Sequence, residues 1–207
     1  MPADSTQLEV ISAPPPYFPL EAAVEGILQG KVVIQLHISD AGVVDNTDII
    51  SGDPLLAKAA ADAMFQWKFK PFIKDGKPVR VSRKVPYDLV LKVKSDSPCA
   101  AVDAAIAVNE VNPLRGYISQ EITAGKRIHG VNPSYPAMAS SRHIQGDVIL
   151  QAMIDSEGRV AQLKALCGPK ELIPPSMDAV RQWRYSPYLD QGVPAAVTTM
   201  IKVQFRI

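Results

Sequence analysis

Apolar and polar residues alternate with the period of a strand over Lys31 to Ser39, where Val32, Ile34, Leu36 and Ile38 share one face and Val33, Gln35 and His37 the other. Asp40-Ala41-Gly42 predicts a tight turn, and Val43 to Ser51 returns as a second strand. The period then lengthens. Gly52-Asp53-Pro54 stops the strand and starts a helix, with Asp53 as N-cap and Pro54 in the first turn, and Leu56, Ala59, Ala60, Ala63 and Trp67 recur at helical spacing as one apolar face. Trp67 reads as a core anchor of that face. Beyond it, Lys68 to Ile73 is short and extended, and Asp75-Gly76 marks a hairpin. Val79 to Val93 is the longest strand candidate, with Val81, Arg83, Val85, Tyr87, Leu89 and Leu91 alternating against Ser82, Lys84, Pro86, Asp88 and Val90. Pro86 cannot donate to a ladder, so this strand is expected to have an open side. Upstream, residues 1 to 8 read as a loose tail, Glu9 to Pro19 as an extended Pro-rich approach and Leu20 to Leu28 as a short helix.

The same pattern is written twice. From Gly30 onward the halves align without a gap at an offset of 116, so that Gly42 meets Gly158, Gly52 meets Gly168, Trp67 meets Trp183 and Pro78 meets Pro194. Upstream the offset is 117, and Phe18-Pro19 meets Tyr135-Pro136. Glycines and prolines pin turns, so their agreement predicts one fold built twice. Pro174 and Pro175 cannot sit in a helix interior, which moves the second helix start about one turn later than the first. Residues 94 to 125 have no counterpart in the first half: Cys99 to Val108 reads as a short Ala-rich helix packed on one of the domains, ended by Asn109 to Pro113, and Gly116 to Gly125 as a connector. The predicted domains are 9–93 and 126–207, with 94–125 as a linker carrying a short helix.

Composition narrows the chemistry. The 207 residues are 47% hydrophobic and 21% charged, which is ordinary globular composition. A net charge of +1, with no run of one sign, argues against nucleic acid as the main partner. The start lacks the basic region and apolar core of a signal peptide, and no apolar run reaches membrane-spanning length. Cys99 and Cys167 leave two readings open, a pair in an oxidising compartment or two buried free thiols, with the thiols as the plainer one. His37, His129 and His143 lack metal-ligand spacing; His37 reads as a solvent-face strand residue, and the other two as loop or helix-edge groups. Asp155 and Glu157 read as hairpin-loop formers rather than a catalytic carboxylate pair, and no phosphate-cradling glycine motif is present. No catalytic residue, metal, cofactor or small-molecule substrate is expected.

Asn132-Pro-Ser-Tyr135-Pro136, Ile144-Gln-Gly-Asp-Val148, Asp155-Ser-Glu-Gly158, Ala179-Val-Arg-Gln-Trp183-Arg-Tyr-Ser-Pro187 and Gly192-Val-Pro194 together resemble the C-terminal domain of TonB-family proteins. The first copy follows the same pattern. The resemblance implies an α+β fold of two tandem modules, each a helix packed on a small, about three-stranded antiparallel sheet. It further implies a periplasmic, non-catalytic protein-binding module that links an inner-membrane motor, ExbB and ExbD, to TonB-dependent outer-membrane transporters by adding a peptide strand to a sheet edge. The matching edges are Val81, Arg83, Val85 and Tyr87 in the first copy and Val197, Thr199, Ile201, Val203 and Phe205 in the second. Trp67, Trp183, Pro19, Tyr135 and Pro136 are expected to be structural. An assembly module that pairs its edges into a homodimer is the alternative. A signal peptide or membrane anchor belongs to the periplasmic reading and is absent from this sequence, as is the family's long Pro-rich spacer.

Overall fold

The computed structural model describes residues 8–110 and 126–207. The connector expected over Gly116 to Gly125 and most of the loose tail lie outside the described residues. Contacts divide the chain into two compact units, Met1–Lys92 and Val93–Ile207.

In the first unit the chain runs through β1 (Val10–Ser12), α1 (Leu20–Val24), β2 (Gln29–Ile38), β3 (Val44–Ser51) and α2 (Pro54–Met64), then β4 (Lys68–Phe69), β5 (Ile73–Lys74), β6 (Lys77–Pro78) and β7 (Val81–Val90). β2 is the centre of a three-stranded antiparallel sheet ordered β3-β2-β7. The period-two face of β2 is closed to solvent: Val32, Ile34 and Leu36 are fully buried and Ile38 nearly so. α2 covers that face with Leu56, Ala59, Ala60, Ala63 and Met64, all buried. Its start is secured by Asp53, whose carboxylate accepts from the Leu55 and Leu56 amides at 3.0 and 3.3 Å, with Pro54 in the first turn where no amide is needed.

The second unit opens with α3 (Ala100–Glu110) and continues through β8 (Arg127–His129), α4 (Ala137–Ser141), β9 (Gly146–Ile154), β10 (Val160–Cys167), α5 (Ile173–Val180), β11 (Arg184–Tyr185), β12 (Tyr188–Asp190), β13 (Val193–Ala195) and β14 (Val197–Phe205). Its sheet is ordered β10-β9-β14 and is again antiparallel throughout. α5 begins at Ile173, so Pro174 and Pro175 fall in its first turn, where their missing amides cost no intrahelical bond. The core beneath it joins Val148, Leu150, Ala152 and Ile154 of β9 to Leu172, Val180 and Trp183 and to Ile201, Val203 and Phe205 of β14.

Trp67 departs from the expected helical face. α2 ends at Met64, and Trp67 lies beyond it, half-buried, with its indole N–H donated to the Pro14 carbonyl at 3.0 Å. Trp183 repeats the bond to the Val131 carbonyl at 2.8 Å. The proline-rich approach, which has few amides of its own, is thereby held by the residue just past each helix. The small pairings β1 with β4 and β8 with β11 fasten the same junction. The hairpin glycines close it from the other side: the Phe69 amide donates to the Gly42 carbonyl at 2.8 Å and the Tyr185 amide to the Gly158 carbonyl at 2.9 Å. Gly42 and Gly158 have φ of +80 and +78, and a Cβ on either would stand 2.0 or 1.9 Å from the facing carbonyl oxygen. Only glycine fits there.

The cysteines form a disulfide, Cys99 to Cys167, in place of the two free thiols that the sequence favoured. Spacing gave no sign of it because the partners are 68 residues apart. His129 lies in strand β8, paired opposite Arg184, instead of in a loop or at a helix edge, because the approach segment borrows a partner from the chain after Trp183. His143 follows α4 at a φ of +52, exposed.

Candidate functional site

The candidate edges are β7 and β14, each the last strand of its unit and each paired on one side only among the described residues. β2 pairs with β7 in unbroken register from Gln29 opposite Val90 to Ile38 opposite Val81, and β9 pairs with β14 from Gly146 opposite Phe205 to Ile154 opposite Val197. Pro86 stands opposite Val33 within β7, a position tolerated on an edge strand.

Every expected edge residue lies on the helix-covered face of its sheet. In the first unit Val81, Arg83, Val85 and Tyr87 are half-buried, alternating with exposed Ser82, Lys84, Pro86 and Asp88. In the second, Val197 is half-buried while Thr199, Ile201, Val203 and Phe205 are buried. The β14 side chains on this face thus belong to the core, and what that edge offers a partner is chiefly main-chain N–H and C=O groups. Thr199 is unusual among them, since its buried Oγ1 has no hydrogen-bond partner among the described residues. Of the expected structural residues, Pro19 and Pro136 immediately precede the short helices α1 and α4, and the Tyr135 hydroxyl donates to the Ile144 carbonyl at 2.7 Å while its ring meets Phe205 edge-on.

The opposite faces of the two sheets differ. In the first unit that face is largely polar, half-buried along β2 and exposed along β7, and His37 Nε2 lies 2.7 Å from Asp48 and its Nδ1 3.1 Å from Ser82 Oγ, a link across all three strands. Although it joins a serine, a histidine and an aspartate, the His37 and Asp48 side chains are 38% and 52% exposed, and an open sheet face lacks the desolvation that activates a nucleophile. In the second unit the same face carries Ile149 and Met200, both buried, and α3 lies over it with Val102 and Ala105 buried. Cys99 ties the start of α3 to Cys167 on β10, and Asp103 meets Lys202 of β14 at 2.6 Å.

Asp155 is held below the usual carboxylate range, first by the Arg159 amide and then by the Arg159 guanidinium and the Glu157 amide; this is the signature of a closed hairpin loop. Burial pushes the Tyr185 phenol up to about 12, partly opposed by the charge of Arg127. That arginine stacks on Trp183 at 4.2 Å.

A cavity of about 440 Å³ opens at the start of β7, lined by Leu8, Phe72, Lys74, Val79, Arg80, Val81 and Ser82. Of these only Val81 was expected at an edge. The legible signal for Lys74 and Arg80 was charge: residues 74 to 84 hold five cations, whereas the matching residues 190 to 200 hold none. No helix among the described residues is long and apolar enough to cross a membrane.

A family model described as the Gram-negative bacterial TonB protein C-terminal matches this chain at residues 14–91 and again at 131–207. Protein TonB of Vibrio cholerae is 33% identical over 79 residues, which make up 37% of this chain and 32% of that protein, so the match spans about a third of the relative's length. The solution NMR structure of the Pseudomonas aeruginosa TonB CTD is 26% identical, with a TM-score of 0.39, covering 45% of this chain and 96% of that one. With the family pattern matched over most of its length, the chain belongs to the TonB C-terminal family and carries that family's domain twice.

Proposed function

We propose that this chain is a non-catalytic periplasmic binding protein that takes extended peptides from outer-membrane transporters as an added strand, and that it works in the line between an ExbB/ExbD-type motor and those transporters. The observation that carries the reading is the long edge strand at the end of each unit, β7 and β14, unpaired on its outer side among the described residues. Main-chain bonds to such an edge provide affinity, and alternate side chains provide selectivity. Family membership supports the reading, and the Cys99–Cys167 disulfide suits an oxidising compartment such as the periplasm.

Titration of the chain with transporter N-terminal peptides, followed by amide NMR, tests it. Shifts are expected along 81–90, 197–205 or both, and shifts confined to α2 and α5 would remove the edge mechanism. Light scattering across a concentration series separates the assembly reading. A dimer whose edges no longer exchange with solvent would make the edges self-pairing surfaces, while a monomer with exchanging edges favours peptide capture.

A further inference from the structure

We propose that the β7 edge of the first module selects an acidic extended peptide, with carboxylates meeting Lys74, Arg83 and Lys84 and one apolar side chain entering the cavity beside Phe72 and Val79. The proposal rests on the strand-addition reading and adds the chemistry of the ligand to it.

The two modules share a backbone and differ here in charge. From 74 to 84 the chain reads Lys-Asp-Gly-Lys-Pro-Val-Arg-Val-Ser-Arg-Lys; from 190 to 200 it reads Asp-Gln-Gly-Val-Pro-Ala-Ala-Val-Thr-Thr-Met. Arg80 is paired with Asp45 of β3, and Asp48 of the same strand is engaged by His37. Lys74, Lys77, Arg83 and Lys84 make no ion pair among the described residues, so their charge remains available to a ligand.

Their placement follows the edge. Arg83 and Lys84 are consecutive on β7, so the first points to the helix-covered face, where it is half-buried, and the second to the open face, where it is exposed. A strand added to β7 alternates in the same way, and two consecutive acidic residues would reach both cations as cross-strand neighbours. Lys74, on β5, lines the same cavity as Val81 and Ser82 at the start of β7. The cavity walls Leu8, Phe72, Val79 and Val81 are apolar, which suits a side chain of valine or leucine size between acidic positions. An unpaired strand edge next to a cavity with apolar walls fits a peptide better than a nucleic acid, whose non-specific binding takes its affinity chiefly from phosphate contacts.

The test uses the full chain and an acetylated, amidated peptide, Ser-Glu-Val-Glu-Glu-Val-Ser, against its counterpart with Gln at every Glu, and an oligothymidylate of similar length. Fluorescence anisotropy is expected to show the acidic peptide binding at least about tenfold tighter than the Gln peptide, with the advantage shrinking as salt is raised. Amide shifts should fall on 74–88 and spare 190–204. The exposed double variant Lys74→Gln with Lys84→Gln should bring the two peptides to within about twofold, with its amide spectrum otherwise unchanged. Equal affinity of the two peptides at β7 would overturn the charge selection and leave strand addition standing. Absence of binding by either peptide would overturn both, and an oligothymidylate that binds as tightly as the acidic peptide would make the strip a general anion surface.

Discussion

The helix-covered faces of the two sheets share an apolar centre, Val32, Ile34 and Ile38 standing where Val148, Leu150 and Ile154 stand, and the opposite faces do not match in polarity. Val33, Gln35, His37 and Lys84 in the first unit stand where Ile149, Gln151, Met153 and Met200 stand in the second. Ser51 stands where Cys167 stands. An antiparallel sheet tolerates water on one face when that face is polar, as in the first unit. Replacing His37 and Lys84 by methionines and Val33 by isoleucine makes the face apolar, and a cover then becomes favourable. α3 supplies that cover, which accounts for the helix having no equivalent in the first half. Duplication preserved what each core requires, and divergence went into surfaces the core does not constrain.

The largest test of this contrast removes the clamp. Replacing Cys99 and Cys167 by Ser opens a closure of 68 residues and is expected to cost the second unit about 4 kcal/mol, leaving the first unchanged. Residue-resolved hydrogen exchange separates the units, and equal losses in both would break the comparison. Exchanging face residues comes next. Met200→Lys puts an ammonium under α3 and should cost about 2–3 kcal/mol, whereas Lys84→Met on the open face should stay within about 0.5 kcal/mol, both read by chemical denaturation.

A third difference appears with pH. Tyr185 is buried where the first unit has Phe69, and its folded value of about 12 lies above the unfolded value of about 10. Its contribution is fully present below pH 10 and is lost as pH rises toward 12, because the unfolded chain gives up its proton first. The second unit should therefore lose on the order of 2 kcal/mol over that window, and Tyr185→Phe should flatten the loss. The smallest effect belongs to the Asp103–Lys202 bridge, whose partners are 38% and 37% exposed. Asp103→Asn should lower the stability of α3 by less than about 1 kcal/mol, seen as faster exchange of its amides alone.

Reading the sequence reached the sheets and helices because their signals are local. The alternation of Val32, Ile34, Leu36 and Ile38, the Asp53 cap and the glycine turns each act within a few residues. It carried α2 through to Trp67 because helical spacing is blind to a helix end that lacks a glycine or proline stop; the end became visible only with the indole bonded to Pro14. For β14, the family resemblance put Val197, Thr199, Ile201, Val203 and Phe205 at an edge, yet it does not tell which of an edge strand's side chains a helix will cover. The charge of 74–84 was legible, but its meaning needed the cavity that places Leu8 and Phe72 beside Lys74.

By itself the sequence determined that one module is present twice, with its turns, strand faces and helices, since glycine and proline restrict the backbone wherever they stand and apolar period follows from local geometry. Only the tertiary structure decided that Cys99 meets Cys167, that α3 covers the second unit's own sheet, and which edge residues are core. Those outcomes depend on contacts between residues far apart in the chain, and no local preference encodes them.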